Sequence, residues 1–400
     1  MVFEINDKLV SRFITILLFH VSFVVVRIGN YNLFQNVLVA IIAIYLIMNY
    51  KFLLKSEYLV LNGIVALLAV EMFIPMLVNR DILDVSVRYA GVVVATFIVP
   101  FYVLECEKVK GNILEVIRTL YICGAFYCII SDITGIMTGA KYVGIGNYLV
   151  GNKFNLSYLH ILTLVLFLYI NSIKPQAKVV ILFHVILTIA ICIYSECSTA
   201  VVGVIVLLSM YEFKDSIIQI LKRYTVFLIM LFVASTILIL FSNIIYYEPI
   251  KYIIVEVLHE DMTLSGRMTG FQGILPAIMY KPVFGVGYSN NYVAAMLFTG
   301  GMADLQNGLA DILLSFGIVG TVLILIIVYI AFKNTNEKQC AGFLFMAYMY
   351  VILSSVEVTL NLKFLVVIAL LMFGFDDSIQ QNIYKKEPKS IFYFERKGKK

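Results

Sequence analysis

The residues best suited to chemistry lie in the segment 264–321, which interrupts a nearly continuous series of apolar runs. From Met268 onward apolar residues recur at helical spacing, so we expect an amphipathic helix with Ser265 as its N-cap. Arg267 would then lie at the positive end of the helix dipole, beside free backbone N–H groups. Because phosphate binds well to such a site, we predict Arg267 as the main anion-binding residue.

A glycine-containing turn is expected after this helix. Pro276 is predicted to kink the helix near its end, and Pro282 to terminate it. Gly285 and Gly287 follow, at positions where only a residue without a side chain bends freely. The next helix is expected to begin near Gln306.

A polar stripe is predicted on the first turns of that next helix. Asn307, Asp311 and Ser315 are spaced four residues apart and therefore share one face. A carboxylate in an apolar span is costly unless it faces a wet cavity or a partner, so Asp311 is a functional candidate. The alternative is a structural acid that the helix dipole favours. Gly317 and Gly320 are expected to allow close helix packing.

Four further cations are weaker candidates. Lys281, Arg88 and Arg80 are candidates for binding the same anion as Arg267, although a loop charge or an interfacial anchor is the commoner role for each. Lys153 lies in a Gly-rich loop, 131–155, and such loops either line a binding site or are simply flexible.

Composition predicts a membrane protein. Of the 400 residues, 62% are hydrophobic and 14% are charged, and the mean hydropathy is +0.96. A soluble globular protein of this size does not need so many apolar side chains. The first apolar run lacks a small-residue cleavage site, so we interpret it as the first span rather than a signal peptide. We predict an all-α polytopic transmembrane helix bundle, with residues 1–400 forming a single membrane domain.

Twelve spans are predicted from the apolar runs. They are approximately 10–28, 35–50, 58–78, 87–104, 113–132, 156–172, 178–194, 198–212, 224–243, 308–332, 339–356 and 361–375. With both termini in the cytoplasm, this arrangement places 21 Lys and Arg residues inside and nine outside. Merging the seventh and eighth runs across 194–199 would move the basic tail outside, so the positive-inside rule predicts a break there.

Two segments outside the spans follow from this topology. Residues 244–307 would form a large extracytoplasmic loop with short amphipathic helices, the first of which carries an apolar stripe that begins at Ile250. Residues 376–400 would form a basic cytoplasmic tail. We expect the tail to bind anionic lipid headgroups rather than nucleic acid.

Several kinds of site have no sequence signature here. The six cysteines lie mostly in or beside apolar runs and show neither paired extracellular spacing nor C-x-x-C, so no disulfide framework or zinc site is predicted. The chain lacks a P-loop, G-x-G-x-x-G, a metal-holding Asp-x-Asp and H-E-x-x-H. We therefore predict no cofactor and no metal.

The motifs of this segment resemble those of a known family. S-G-R, which contains Arg267, is followed by P-x-x-G-x-G at 282–287, and then by Q-N and G-x-x-G between Gln306 and Gly320. This order is similar to that of the bacterial O-antigen polymerase and O-antigen ligase superfamily, over roughly 60 residues. The ligase branch is described with a His where this chain has Gln306, and an amide cannot take up a proton. The departure favours a polymerase over a ligase.

The resemblance implies an enzyme of the bacterial cytoplasmic membrane. Such a polymerase transfers a growing O-antigen or capsular or exopolysaccharide glycan from undecaprenyl diphosphate to the next lipid-linked repeat unit. Its partners would be the undecaprenyl-diphosphate-linked oligosaccharide and the lipid bilayer, with a chain-length regulator and a flippase as further proteins.

The implied metal-free transfer needs a cation for the departing diphosphate and a base for the attacking hydroxyl. We assign the first role to Arg267 and the second to Asp311, Glu260 or Asp261. A surface ion pair between Arg267 and Glu260 or Asp261 is the alternative for these three residues. The candidate substrate-binding residues are Lys281, Arg88, Lys153, Gln306, Asn307, Gly285 and Gly287.

Three other functions compete with this one. A ligase would carry the glycan to a different acceptor. A flippase or secondary transporter should show internal repeats and interrupted helices, and the two halves of the chain are not self-similar. A non-catalytic membrane scaffold would tolerate the loss of Arg267 and Asp311.

Overall fold

The computed structural model shows a helical protein. It describes residues 6–24, 31–54, 57–138, 150–240, 247–257, 262, 270–335 and 339–375. Within these ranges the helices are, in chain order, α1 (Asp7–Phe23), α2 (Tyr31–Met48), α3 (Tyr50–Leu54), α4 (Leu59–Val78), α5 (Val87–Val109), α6 (Ile113–Thr138), α7 (Lys153–Ile173), α8 (Lys178–Tyr194), α9 (Ser198–Glu212), α10 (Lys214–Leu221), α11 (Tyr224–Leu240), α12 (Glu248–Tyr252), the π-helical turn α13 (Ile253–Val257), α14 (Ile274–Tyr280), α15 (Asn290–Thr299), α16 (Gly308–Asn334), α17 (Ala341–Leu353) and α18 (Leu362–Phe373).

A multi-pass helical membrane protein is confirmed. Each of the twelve apolar runs contains one helix, and five helices of the described part, α4, α5, α6, α7 and α16, are long and apolar enough to cross a membrane. Helices α10 and α11 pass the same test together, although they meet at an angle of 89°, and would make a sixth span. The other apolar helices are shorter, so the count of twelve spans and the side on which each terminus lies stay predictions.

Three helices form the centre of the bundle. Almost every side chain is buried along residues 156–169 of α7, 343–351 of α17 and 364–373 of α18. A helix that is apolar on all sides is expected to be buried in this way. Helices around this centre expose large apolar side chains, as lipid-facing helices do; examples are Ile44, Leu67, Ile122, Phe183 and Ile229.

The run between the seventh and eighth predicted spans is broken, as expected. Helix α8 ends at Tyr194 and α9 begins at Ser198. Between them Glu196 has a φ of 52°, in the left-handed region that no helix interior contains. A single continuous helix across this point is excluded.

The segment after α13 differs from its prediction in two ways. Helix α14 begins at Ile274, so Pro276 lies in its first turn, and the expected kink near the helix end was wrong. In the first turn the missing N–H of proline costs nothing. Helix α15 was not predicted; its N-cap, Ser289, makes no side-chain hydrogen bond to the helix, so the usual start signal is missing. Ser265 and Arg267 lie outside the described residues.

Candidate functional site

Helix α16 is interrupted at Gly317, where φ is 60° and ψ is −166°. In a continuous helix the N–H groups of Ile318 and Val319 would donate to carbonyls four residues earlier. Here they donate to the carbonyl oxygens of Pro282, at 2.9 Å, and Val283, at 3.0 Å. A distant part of the chain therefore replaces two hydrogen bonds of the helix.

The same distant segment also satisfies the two carbonyls that the break releases. The oxygen of Leu314 accepts from the N–H of Val286 at 2.8 Å, and the oxygen of Ser315 accepts from Gly287 at 2.9 Å. We call residues 282–287 the inserted loop. Because a buried backbone group without a partner is costly, the loop and the break in α16 stabilise each other.

Three glycines allow this close approach. A Cβ atom on Gly285 would lie 2.5 Å from the carbonyl oxygen of Ser315, and a Cβ on Gly287 would lie 2.6 Å from the backbone nitrogen of Met76. Both glycines and Gly317 also have φ between 60° and 92°. This geometry accounts for glycine at 285 and 287 by backbone packing, and direct contact with a substrate stays a prediction.

Two buried asparagines hold the inserted loop against its neighbours. Asn79, just after α4, donates from Nδ2 to the carbonyls of Gly285 at 3.3 Å and Val286 at 3.1 Å. Asn290, in α15, donates to the carbonyls of Val286 at 2.9 Å and Asn79 at 3.2 Å. Helices α4, α15 and α16 therefore meet at this loop.

Asp311 lies before the break, in the first turn of α16, and is 7% exposed. Its two carboxylate oxygens accept from Nδ2 of Asn291 in α15, at 3.2 and 3.3 Å. Ser315, one turn further on, and Asn291 are also buried, and neither the hydroxyl of Ser315 nor Oδ1 of Asn291 has a partner among the described residues. Unpartnered polar atoms beside a buried acid are typical of a binding site.

Asn307 and Gln306 fix the start of α16. The Oδ1 atom of Asn307 caps the helix by accepting from the N–H of Ala310 at 3.1 Å, and its Nδ2 donates to the carbonyl of Ser235 in α11 at 2.9 Å. Gln306 has a φ of 51°, and both its backbone N–H and its side-chain amide donate to the carboxylate of Asp304. The predicted stripe of Asn307, Asp311 and Ser315 is thus present, with Asn307 as a cap.

Two tyrosines lie beside Asp311. The rings of Tyr288 and Tyr292 meet edge to face, with centroids 6.3 Å apart, and Tyr288 stacks on Phe316 at 6.2 Å. Burial raises the pKa of both hydroxyls above the ordinary value for tyrosine, and the neighbouring Asp311 carboxylate adds to the effect. We call Asp311, Asn291, Ser315, Tyr288 and Tyr292 the Asp311 site.

Beyond the break a cavity of about 660 Å³ lies between α4, the inserted loop and α16. Its walls are mostly apolar, and Lys281 lines one part of it. Glu71 of α4 also lines it; this residue is 7% exposed, and its carboxylate has no hydrogen-bond partner in the described part of the chain. A Cβ on Gly320 would touch the Glu71 carboxylate, so the close packing expected for Gly320 is confirmed.

The structure separates the other predicted cations. Arg88 is exposed in the first turn of α5, next to Tyr89, whose hydroxyl lies 3.2 Å from the Ser289 hydroxyl at the start of α15. Arg88 is therefore one residue away from a side chain that reaches the start of α15, and its binding of an anion stays a prediction. Lys153, at the start of α7, donates instead to the carbonyl of Glu196, at 2.8 Å, and so contacts the turn between α8 and α9.

Two of the three predicted catalytic residues, Arg267 and Glu260, fall outside the described residues, as does Asp261. Their roles stay predictions. In the part of the chain that the structure describes, no three His, Cys, Asp or Glu side chains converge as a metal site would require.

Several site residues were missed from the sequence. Asn291 and Tyr292 belong to the first turn of α15, which was not predicted, and Tyr288 lies just before that helix. The available signal was the pair of tyrosines, Tyr288 and Tyr292, that follows directly after the glycine turn.

Comparison with known protein families decides the assignment of this region. The sequence model of a family described as O-Antigen ligase matches residues 182–325. This segment belongs to the O-antigen ligase/polymerase superfamily. The O-antigen ligase match covers the inserted loop, α15 and the break in α16, and it confirms the resemblance seen in the sequence motifs. The match indicates glycan handling of the O-antigen ligase/polymerase kind for this part of the chain.

No curated protein and no solved structure matches the chain.

Proposed function

We propose that this protein is a metal-independent polymerase of lipid-linked oligosaccharide repeat units in the bacterial cytoplasmic membrane. It would transfer the growing glycan from undecaprenyl diphosphate to the next lipid-linked unit. One observation carries the proposal: along α16, an apolar cavity and a buried polar site lie on opposite sides of the break that the inserted loop fills. A lipid-linked sugar is amphipathic and needs both environments.

The cavity is suited to the lipid part of the substrate. Its volume of about 660 Å³ lies within the usual range of small-molecule sites. Lys281 at the cavity supplies positive charge for a diphosphate, and Arg267 remains the predicted main diphosphate-binding residue.

The Asp311 site is suited to the transfer itself. A hydroxyl of the acceptor sugar attacks the anomeric carbon of the donor glycan, and a C–O bond forms as the bond from that carbon to the diphosphate breaks. Asp311 accepts the hydroxyl proton, with Glu260 as the alternative base. The lipid diphosphate leaves with the electron pair, and Arg267 and Lys281 offset its charge. Asn291 orients the Asp311 carboxylate.

Gln306 supports a polymerase rather than a ligase. Its side-chain amide donates to Asp304, and an amide cannot act as a base at this position. Ligase-type transfer to another acceptor is the alternative within the same superfamily. A chain-length regulator and a flippase are proposed partners, because a polymerase of this kind needs lipid-linked units on the outer side.

A polysaccharide transporter is the second candidate function. The break in α16 favours it, because transporters bind substrates at interrupted helices. In that case the Asp311 site would bind the glycan during passage without any bond being broken.

Purified protein in lipid nanodiscs tests the proposal. The substrate is the producing organism's own lipid-diphosphate repeat unit, without nucleotide or metal, and the products are separated by size. We expect a ladder of polymers that is lost in Arg267→Ala and reduced by on the order of 10²-fold or more in Asp311→Asn. Arg223→Ala and Asp215→Asn, which change exposed residues at the other end of the bundle, should retain the ladder.

The outcomes separate the candidates. Absence of a ladder with authentic substrate, together with movement of the lipid-linked glycan between leaflets of vesicles, would replace the polymerase with the transporter. Transfer of a single glycan to another acceptor, without a ladder, would indicate the ligase.

A further inference from the structure

Two tyrosine side chains are exposed at the edge of the Asp311 site. Tyr89 is 42% exposed in the first turn of α5, and Tyr292 is 41% exposed in α15. Neither tyrosine is part of the apolar core. Part of each side chain is therefore accessible to a ligand.

The backbone and the neighbouring rings hold this edge in one geometry. Tyr288 is fixed by Phe97, whose ring centroid is 4.8 Å away, and by the stack on Phe316. Ser289 has a φ of 73°, unusual for a residue with a side chain, and its hydroxyl lies 3.2 Å from the Tyr89 hydroxyl. Strained residues of this kind occur preferentially at binding and catalytic sites.

Polar groups for hydroxyl recognition lie directly beside these rings. Asn291, which precedes Tyr292, is 1% exposed, and its Oδ1 atom has no partner among the described residues. The Asp311 carboxylate has Asn291 as its hydrogen-bond partner in that same part of the chain. Burial and the nearby carboxylates of Asp311 and Asp304 raise the pKa of Tyr292, so its hydroxyl stays protonated and can donate.

A sugar ring matches this combination of groups. A pyranose has apolar C–H faces, which pack on an aromatic ring, and hydroxyl groups around its rim, which need donors and acceptors. We propose that Tyr292 and Tyr89 form a stacking subsite for one pyranose ring of the glycan, whose hydroxyls bind Asn291 and Asp311. This inference rests on the proposed function, because it takes the glycan as the ligand.

The absence of tryptophan from the sequence makes a direct binding test available. Tyr292→Trp keeps an aromatic face and creates the sole tryptophan of the chain. The ligand is the free oligosaccharide released from the organism's lipid-linked repeat unit by mild acid. We expect a saturable change in tryptophan emission with this variant and none with Tyr50→Trp, which changes an exposed tyrosine in α3.

Truncation of the ring should weaken binding. By isothermal titration, we expect Tyr292→Ala to raise the Kd of the oligosaccharide about tenfold, or ~1.4 kcal/mol. Tyr292→Phe, which retains the ring, should change the Kd by less than about threefold, and Tyr50→Ala should leave it unchanged. In the transfer assay Tyr292→Ala should raise KM more than it lowers kcat, because stacking binds the ground state and the transition state alike.

These measurements distinguish failure of the subsite from failure of the proposed function. Oligosaccharide binding that depends on Tyr292, in a protein that forms no ladder, would support the subsite and overturn the polymerase. A normal ladder and an unchanged Kd in Tyr292→Ala would overturn the subsite alone. Emission of Tyr292→Trp that responds to the lipid headgroups of the nanodisc but not to sugar would also overturn it, and would make Tyr292 an interfacial anchor.

Discussion

At the scale of single residues, two buried acids lie on opposite sides of the break in α16. Asp311 accepts two hydrogen bonds from Asn291, so part of the cost of its burial is offset. Neither carboxylate oxygen of Glu71 has a partner in the described part of the chain. A buried polar group without a partner costs about 1–3 kcal/mol. Glu71 therefore destabilises the folded protein in the absence of a ligand.

Replacement of Glu71 by methionine should stabilise the protein. Methionine has a similar length, packs well in an apolar cavity and removes the unpartnered carboxyl. We expect Glu71→Met to raise the free energy of unfolding by about 1–3 kcal/mol. Thermal unfolding in detergent, followed by circular dichroism, measures the change.

Glu105 provides the matched control. This acid is buried like Glu71, but its Oε1 atom accepts from Nδ2 of Asn62 at 2.9 Å, so Glu105→Met should destabilise the protein. A lower unfolding temperature for both variants would mean that Glu71 has a partner in the membrane.

Spacing in the sequence identified part of the candidate site. Asn307, Asp311 and Ser315 were found because a helix brings every fourth residue to one face. Asn291 and Tyr292 were not found, because the position of both depends on α15, which has no start signal. A contact between two helices also depends on the loop that joins them, and single-residue spacing carries no information about that loop.

At the scale of elements, the break in α16 was hidden by the apolar sequence around it. The run 308–332 was predicted as one span and contains one interrupted helix, and Gly317 was expected only to allow close packing. The hydrogen bonds that replace those lost at the break are made by residues about thirty positions earlier in the chain. The Pro282 to Gly287 motif predicted a turn, but a turn alone does not show which backbone groups of another helix will form hydrogen bonds with it.

Gly285→Ala should disrupt this arrangement. A Cβ at this position would lie 2.5 Å from the Ser315 oxygen, and the φ of 67° disfavours any residue with a side chain. We expect a loss of about 1–3 kcal/mol in the free energy of unfolding, and at least a tenfold loss of transfer. Thermal unfolding and the ladder assay measure the two effects.

Gly63→Ala is the matched control for this prediction. Gly63 lies in α4, and a Cβ there would meet nothing within 4 Å. Alanine favours a helix, so this variant should be as stable as the unmodified protein or slightly more stable. Equal behaviour of Gly285→Ala and Gly63→Ala would show that the inserted loop does not require glycine.

At the scale of the whole molecule, the position of the site depends on the topology. The twelve-span topology gives 21 inner and nine outer Lys and Arg residues, so the positive-inside rule predicts that α14, α15 and the start of α16 lie outside the cytoplasm. If α8 and α9 formed one span, the same segment would face the cytoplasm. A lipid-linked glycan on the outer leaflet would then have no access to Asp311.

Cysteine labelling in intact cells decides between these topologies. Lys281 and Gln219 are both exposed, one at the end of α14 and the other in α10. Of the six native cysteines five are buried, so Cys123→Ser removes the accessible one and leaves little labelling of native cysteines. We expect a membrane-impermeant maleimide to label Lys281→Cys in intact cells and Gln219→Cys only after permeabilisation. With a cytoplasmic N-terminus, nine spans before the inserted loop put that loop outside, and eight spans would put it in the cytoplasm. The reverse labelling pattern would therefore place the loop in the cytoplasm and overturn a polymerase that acts on the outer face.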